Sequence, residues 1–175
     1  MSLFSRHVLH ITTLALISIA GLVGCSSDGP TQESVTLSLT EWLDEQYEAQ
    51  LMRSPMNLTY LGRSERKGEL DEFTLAAYQE DLAWQAASVA EMERRYSRAT
   101  LTESEQLSYD LWQYSYEQAA SGEAYFYSGL VFDQMNGIHS FVPTFLINFH
   151  TVENVSDFEA LISRLNLIKP RMMDA

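Results

Sequence analysis

Three copies of one helix-starting pattern constrain this chain more than any other feature. Ser38 is followed three residues on by Glu41, Thr102 by Glu105, and Ser156 by Glu159. In such a capping box the hydroxyl accepts a backbone N–H of the first turn, and the carboxylate reaches back to the cap's own N–H. An apolar stripe at helical spacing follows each. The first leads to Leu39, Trp42, Leu43, Tyr47 and Leu51, up to Arg53. The second leads to two faces, Leu107, Leu111 and Tyr114 on one side and Tyr109, Trp112 and Tyr116 on the other. A helix apolar on two sides is expected to be sandwiched inside a helical body. The third leads to Phe158, Leu161, Ile162, Leu165 and Ile168, with an end predicted at Pro170.

The longest periodic stretch predicts a helix from Asp71 to Ser97. Leu75, Tyr78, Leu82, Ala86, Val89, Met92 and Tyr96 fall on one face. Asp71 and Glu72 at its start, and Arg94, Arg95 and Arg98 near its end, suit the helix dipole. Residues 54–68 read as a connection, stopped by Ser54-Pro55 and turning at Gly62 and Gly68. Residues 121–154 are less regular and rich in aromatic side chains. Phe141, Phe145 and Phe149 are spaced by four, which predicts a short helix over Ser140–His150 with Pro143 in its first turn. Tyr125 to Phe132 is open to either helix or strand. Strand alternation recurs nowhere else. The expected class is all-α, mostly helical, with an irregular segment near 121–154, as part of a larger helical body.

The N-terminus carries a different signal. Ile11 to Val23 is an apolar run of 13 residues behind Arg6, and it ends at Cys25, the only cysteine of the chain. A bilayer span needs about 20 apolar residues, so the run is short for one and fits a secretory signal. The alternative is a buried N-terminal helix with an incidental cysteine. Residues 26–34 turn polar at once and read as a flexible tether. The expected organisation is a signal peptide over 1–24, a tether over 25–35 and a helical domain over 36–175.

From Cys25 onward the chain has 151 residues, enough for one domain with a core, and a net charge of −14, since Arg6 is the one charged residue removed. Such a surface repels phosphate backbones, so nucleic acid is not an expected partner. Catalytic motifs do not emerge. His139 and His150 stand 11 residues apart, without the one-turn His-Glu…His spacing of a zinc peptidase helix. There is no Gly-x-Ser-x-Gly elbow and no phosphate-cradling glycine loop. Adjacent acids such as Asp44-Glu45 and Asp71-Glu72 point apart on a helix and read as solvated faces. No catalytic or metal residue is therefore assigned, and no cofactor is expected in the chain. Gln134 and Gly137, in the polar stretch Asp133 to Gly137 between two aromatic runs, are the candidate cleft residues. The competing and preferred reading is a loop whose aromatics complete the core.

Two resemblances add to these readings. Leu22-Val23-Gly24-Cys25 resembles the lipobox of bacterial lipoproteins. It implies cleavage before Cys25, a diacylglycerol on that cysteine with a further acyl chain such as palmitate, and membrane attachment through it. Ser26 follows where an aspartate would imply inner-membrane retention. The implied location is therefore the cell envelope, at the periplasmic face of the outer membrane. The mature chain, through Leu43-Asp44-Glu45, Leu51-x-x-Ser54-Pro55, Thr59-x-Leu61-Gly62, Leu107-x-Tyr109-Asp110, Gln134-x-x-Gly137, Phe141-x-Pro143 and Arg164-Leu165, resembles the start of bacterial "domain of unknown function 885" proteins. Members are longer, mostly helical, and carry downstream a His-Glu…Pro-Gly-His stretch similar to a metallopeptidase zinc motif. The resemblance implies zinc and a peptide substrate for a full-length protein, with none of the metal ligands in this chain. The expected role is then an inactive N-terminal portion whose partner is the downstream part of the same protein. The alternative is a complete small lipoprotein that binds a partner or ligand through its aromatic segment.

Overall fold

The computed structural model describes residues 37–128 and 137–174. Cys25, and with it the lipidation reading, lies outside the described residues, as do the signal run and the tether. Six α-helices follow in order: α1 Leu39–Arg53, α2 Pro55–Tyr60, α3 Leu75–Arg95, α4 Glu103–Gly122, α5 Ile138–Phe149 and α6 Val155–Asp174. Short 3-10 turns occupy Arg98–Thr100 and Glu123–Ser128. No extended strand occurs among the described residues, so the fold is all-α. Residues 123–128 settle the first part of the open stretch as 3-10 turn, and 129–132 lie outside the described residues.

Two of the three capping boxes form as the sequence predicts. Ser38 and Glu41 bond reciprocally at α1, and Thr102 and Glu105 do so at α4. The third start is displaced. Asn154, not Ser156, caps α6: its side-chain oxygen accepts the Asp157 N–H at 3.0 Å, and the Asp157 carboxylate takes the Glu153 N–H at 3.0 Å. Asparagine and aspartate satisfy the same orphan donors as the serine–glutamate pair.

The expected connection over 54–68 contains α2. Ser54-Pro55 stops α1 and starts α2 in one step, because proline at the first helical position loses no needed N–H. The Ser54 hydroxyl accepts the Asn57 N–H, and Asp71 accepts from both Ser54 Oγ (2.6 Å) and Met56 N (2.9 Å). Asp71 therefore serves the start of α2 rather than α3, which begins later, capped by Thr74. Gly62 (φ 74°) ends α2: its N–H bonds Thr59 and that of Arg63 bonds Leu58, a Schellman closure that favours a residue without Cβ. The second turn covers residues 65–68 and so includes Gly68 as expected, with the positive φ at Arg66 (55°); Gly68 lies against Ser163 of α6.

α5 starts earlier than expected, so Pro143 sits in its second turn. α6 continues past Pro170 to Asp174. The proline deletes one backbone bond, while Arg171 in the turn beyond it pairs with Glu72 at 3.0 Å and holds that turn in place.

Buried side chains form two clusters. Leu39, Trp42, Met92 and Tyr109 gather from α1, α3 and α4. Met56, Leu70, Val142, Phe145 and Leu146 gather from α2, α5 and the segment before α3, with Leu161, Leu167 and Ile168 of α6 against them. The predicted stripe of α3 is buried or half-buried throughout. The two-faced α4 is covered on one side only: Tyr109 is buried, whereas Leu107, Leu111 and Tyr114 are 54–61% exposed. Phe158, Ile162 and Leu165 likewise form an exposed stripe on α6. Among the described residues no helix is long and apolar enough to cross a membrane.

Candidate functional site

A cleft of about 450 Å³ lies between the end of α1, the start of α2, α3 and α6. The end of α1 gives Met52 and Arg53, the start of α2 gives Ser54 and Pro55, and the segment before α3 gives Arg66, Glu69, Asp71 and Glu72. α3 contributes Glu80 and Asp81, and α6 contributes Arg171. Its charges are mostly paired: Arg53 with Asp81 at 2.6 Å, Arg66 with Glu69 at 2.7 Å, and Arg171 with Glu72. Arg66 also donates to the Met52 carbonyl, one of the orphan acceptors at the end of α1. The Arg66 guanidinium holds the Glu69 carboxyl below its usual range.

Behind this cleft is a fully buried cation, Arg164 on α6. Its guanidinium meets no carboxylate. Nε donates to the Glu69 carbonyl (2.7 Å); one terminal nitrogen donates to Thr59 Oγ1 (2.8 Å) and the Pro55 carbonyl (3.2 Å). The other faces Nδ1 of His150 at 3.0 Å, and the guanidinium lies 5.0 Å over the Phe145 ring. Burial pulls Arg164 down to about 10, so it stays charged at neutral pH.

A guanidinium has only donors, so His150 Nδ1 must be the acceptor and Nε2 carries the proton. That Nε2–H donates to the Asp157 carbonyl at 3.0 Å. Burial, then the Arg164 and Lys67 charges, push His150 below its ordinary value, against the pull of the Asp157 carbonyl and carboxylate. Asp157 itself is paired with Lys67 at 2.7 Å, and both side chains are largely buried. That pairing, with the Glu153 N–H, holds its carboxyl below the usual aspartate range. Lys67 and Asp157 also wall a second cleft of about 420 Å³, with Arg63, Ser64, Thr151 and Ser156.

The sequence-predicted residues fall elsewhere. Gln134 lies outside the described residues. Gly137 is the cap of α5: its carbonyl accepts the Ser140 and Phe141 N–H groups, at φ 134° and ψ 165°. Residues 129–136 leave its relation to Gln134 outside what is described. His139 is exposed on α5 and His150 is buried. Both ring nitrogens of His150 are taken, by a guanidinium and a carbonyl, and neither is directed to a metal. Among the described residues no three His, Cys, Asp or Glu side chains could share a metal ion. The zinc implied by the family resemblance therefore has no fitting donor set among the described residues.

Sequence reasoning weighed His150 only as a metal ligand and gave Arg164 no chemical role. The signal was present. Leu161, Arg164, Ile168 and Arg171 share one helical face at spacings of three and four, so a cation stands where α6 is otherwise apolar.

A family model described as "bacterial protein of unknown function (DUF885)" matches residues 55–175. The span begins at the first residue of α2 and takes in both clefts' α6 walls and the whole Arg164 network. No curated protein and no solved structure matches the chain.

Proposed function

The chain belongs to this family, and from that premise we propose that it is an envelope lipoprotein whose helical body has a binding or scaffolding role rather than a catalytic one. The observation that carries the anchoring is the lone Cys25 closing a 13-residue apolar run directly before a polar tether. Two acyl chains on that cysteine meet the requirement for stable membrane attachment. The periplasmic face of the outer membrane is the proposed location, from Ser26.

The scaffolding role is supported by the exposed stripes of α4 and α6, three large apolar side chains each. Exposed apolar patches beyond a few hundred Å² mark interaction surfaces on soluble proteins. The proposed partner is further protein of the same family architecture, which would supply the metal site and peptide chemistry absent from these residues. Binding of a separate partner or ligand through the aromatic segment is the alternative.

Metabolic labelling with palmitate and membrane fractionation of the wild type and Cys25→Ser test the anchor. The wild type is expected to take up label and sediment with membranes, and the variant to lose the label and escape the membrane fraction or stay uncleaved. An unlabelled wild type, or a variant that matures and sediments unchanged, refutes it.

A further inference from the structure

The pairing of a buried guanidinium with a histidine acceptor has a consequence that a structural ion pair would not. Arg164 ties α6 to three places at once: the Pro55 carbonyl and Thr59 of α2, the Glu69 carbonyl before α3, and His150 at the end of α5. The fourth tie holds only while Nδ1 of His150 keeps its lone pair. A proton there would turn acceptor into donor and set two cations 3.0 Å apart at a buried site.

We propose that His150 and Arg164 form an acid-sensitive latch, closed while the imidazole is neutral and opened by its protonation, which releases α6 from α2 and from the segment carrying Glu69. The charged groups around the ring favour this response. Arg164 faces it from α6, and Lys67 reaches it from the segment between α2 and α3. The one carboxylate felt by the ring, Asp157, is already engaged by Lys67 and by the Glu153 and Asn154 donors. Glu69 and Asp71 act on the far side of Arg164, and Glu69 is itself paired with Arg66. α2 presents the Pro55 carbonyl and the Thr59 hydroxyl, neither of which titrates in this range. Among the described residues no unengaged carboxylate therefore stands ready to compensate an imidazolium.

Opening would reach the larger cleft. Arg171, two turns beyond Arg164 on the same face of α6, closes one wall of it through Glu72. An α6 freed at Arg164 moves that wall.

Hydrogen exchange of the full chain in neutral detergent, corrected for intrinsic rates and taken from about pH 7.5 to about pH 5, tests the latch. Protection over α6 and residues 66–72 is expected to fall about tenfold or more, while α3 and α4 keep theirs. His150→Asn, which offers a non-titrating acceptor, should abolish the step, and His139→Asn should leave it. Should His150→Asn fail to fold, nitrogen NMR of the wild-type ring gives the answer: the latch requires a proton on Nε2 alone at neutral pH and a titration that coincides with the exchange step. Protection of α6 that is independent of pH, a step that survives in His150→Asn, or a ring that titrates without the step overturns the proposal.

Discussion

Arg164→Ala is the most informative single change. The side chain is fully buried and makes four directed bonds, to two carbonyls, one hydroxyl and one imidazole. Bonds to a charged group contribute about 1.5–3 kcal/mol each, so the gross loss is on the order of 6 kcal/mol or more. The desolvation of a buried ion, several kcal/mol, is recovered at the same time. Truncation also leaves the Glu69 carbonyl and His150 Nδ1 without that donor, while the Thr59 hydroxyl still donates to the Pro55 carbonyl, and it opens a void over the Phe145 ring. The net expectation is about 3–5 kcal/mol, from the void and the orphaned acceptors together. At roughly 3 °C per kcal/mol for a body of this size, Tm should fall by about 10–15 °C. Arg164→Met fills the void without the charge and should cost less, about 1–3 kcal/mol, since only the orphaned acceptors remain. Urea unfolding followed by tryptophan fluorescence, with unchanged dependence on urea, measures both. An Arg164→Ala protein within about 1 kcal/mol of the wild type would show that the network does not hold the helices.

Gly137→Ala should destabilise by about 1–3 kcal/mol in thermal unfolding, because φ 134° and ψ 165° is a region open essentially to glycine alone; an unchanged Tm would contradict this cap. Asp157 titrates below its unfolded value, so its contribution is present above the unfolded aspartate pKa of about 3.9 and is lost as pH falls below it. Lys67→Met should therefore flatten the acid limb of the stability curve, and an identical limb would remove Lys67 as the cause. Leu107→Lys with Leu111→Lys should reduce hydrophobic-dye binding or self-association while moving stability by no more than about 0.5 kcal/mol per site, since both residues are exposed. A large loss of stability would mean that this face is packed within the chain.

Local signals carried the helices, and long-range ones decided their ends. Ser38–Glu41 and Thr102–Glu105 are complete within four residues, and both form as written. The same short-range rule misplaced the start of α6, because Asn154 and Asp157 meet the same need two residues earlier. α2 was hidden because Ser54-Pro55 reads as a stop. It becomes a start only when Asp71, fifteen residues beyond Met56, supplies an acceptor. Pro170 should end a solitary helix, but Leu167 and Ile168 pack on the second core just before it, and Arg171 beyond it pairs with Glu72, 99 residues away in sequence. The buried site was the least legible part. Arg164 bonds Glu69, Pro55 and Thr59 across 95 to 109 residues of sequence, and no local spacing announces such partners. Its one sequence trace is a cation on the apolar face of α6.

The two buried clusters explain why the larger cleft lies where it does. Each half of the body collects its own apolar core, one from α1, α3 and α4 and the other from α2, α5 and α6. The rim of the cleft is polar: Arg53 of α1 pairs with Asp81 of α3, Arg171 of α6 with Glu72, and Ser54 bonds Asp71. Exposed ion pairs such as the first two are each worth about 0–1 kcal/mol and weaken with salt. The rim is therefore soft relative to the apolar interior of either half. The strong ties of α6, through Arg164, all run within the second half. Loosening of the rim costs little while the Arg164 network is intact, and loss of that network loosens α6 itself. The cleft is thus bounded by one wall that can yield to salt and another that can yield to acid. Its shape is set by two independent electrostatic conditions rather than by a single apolar core.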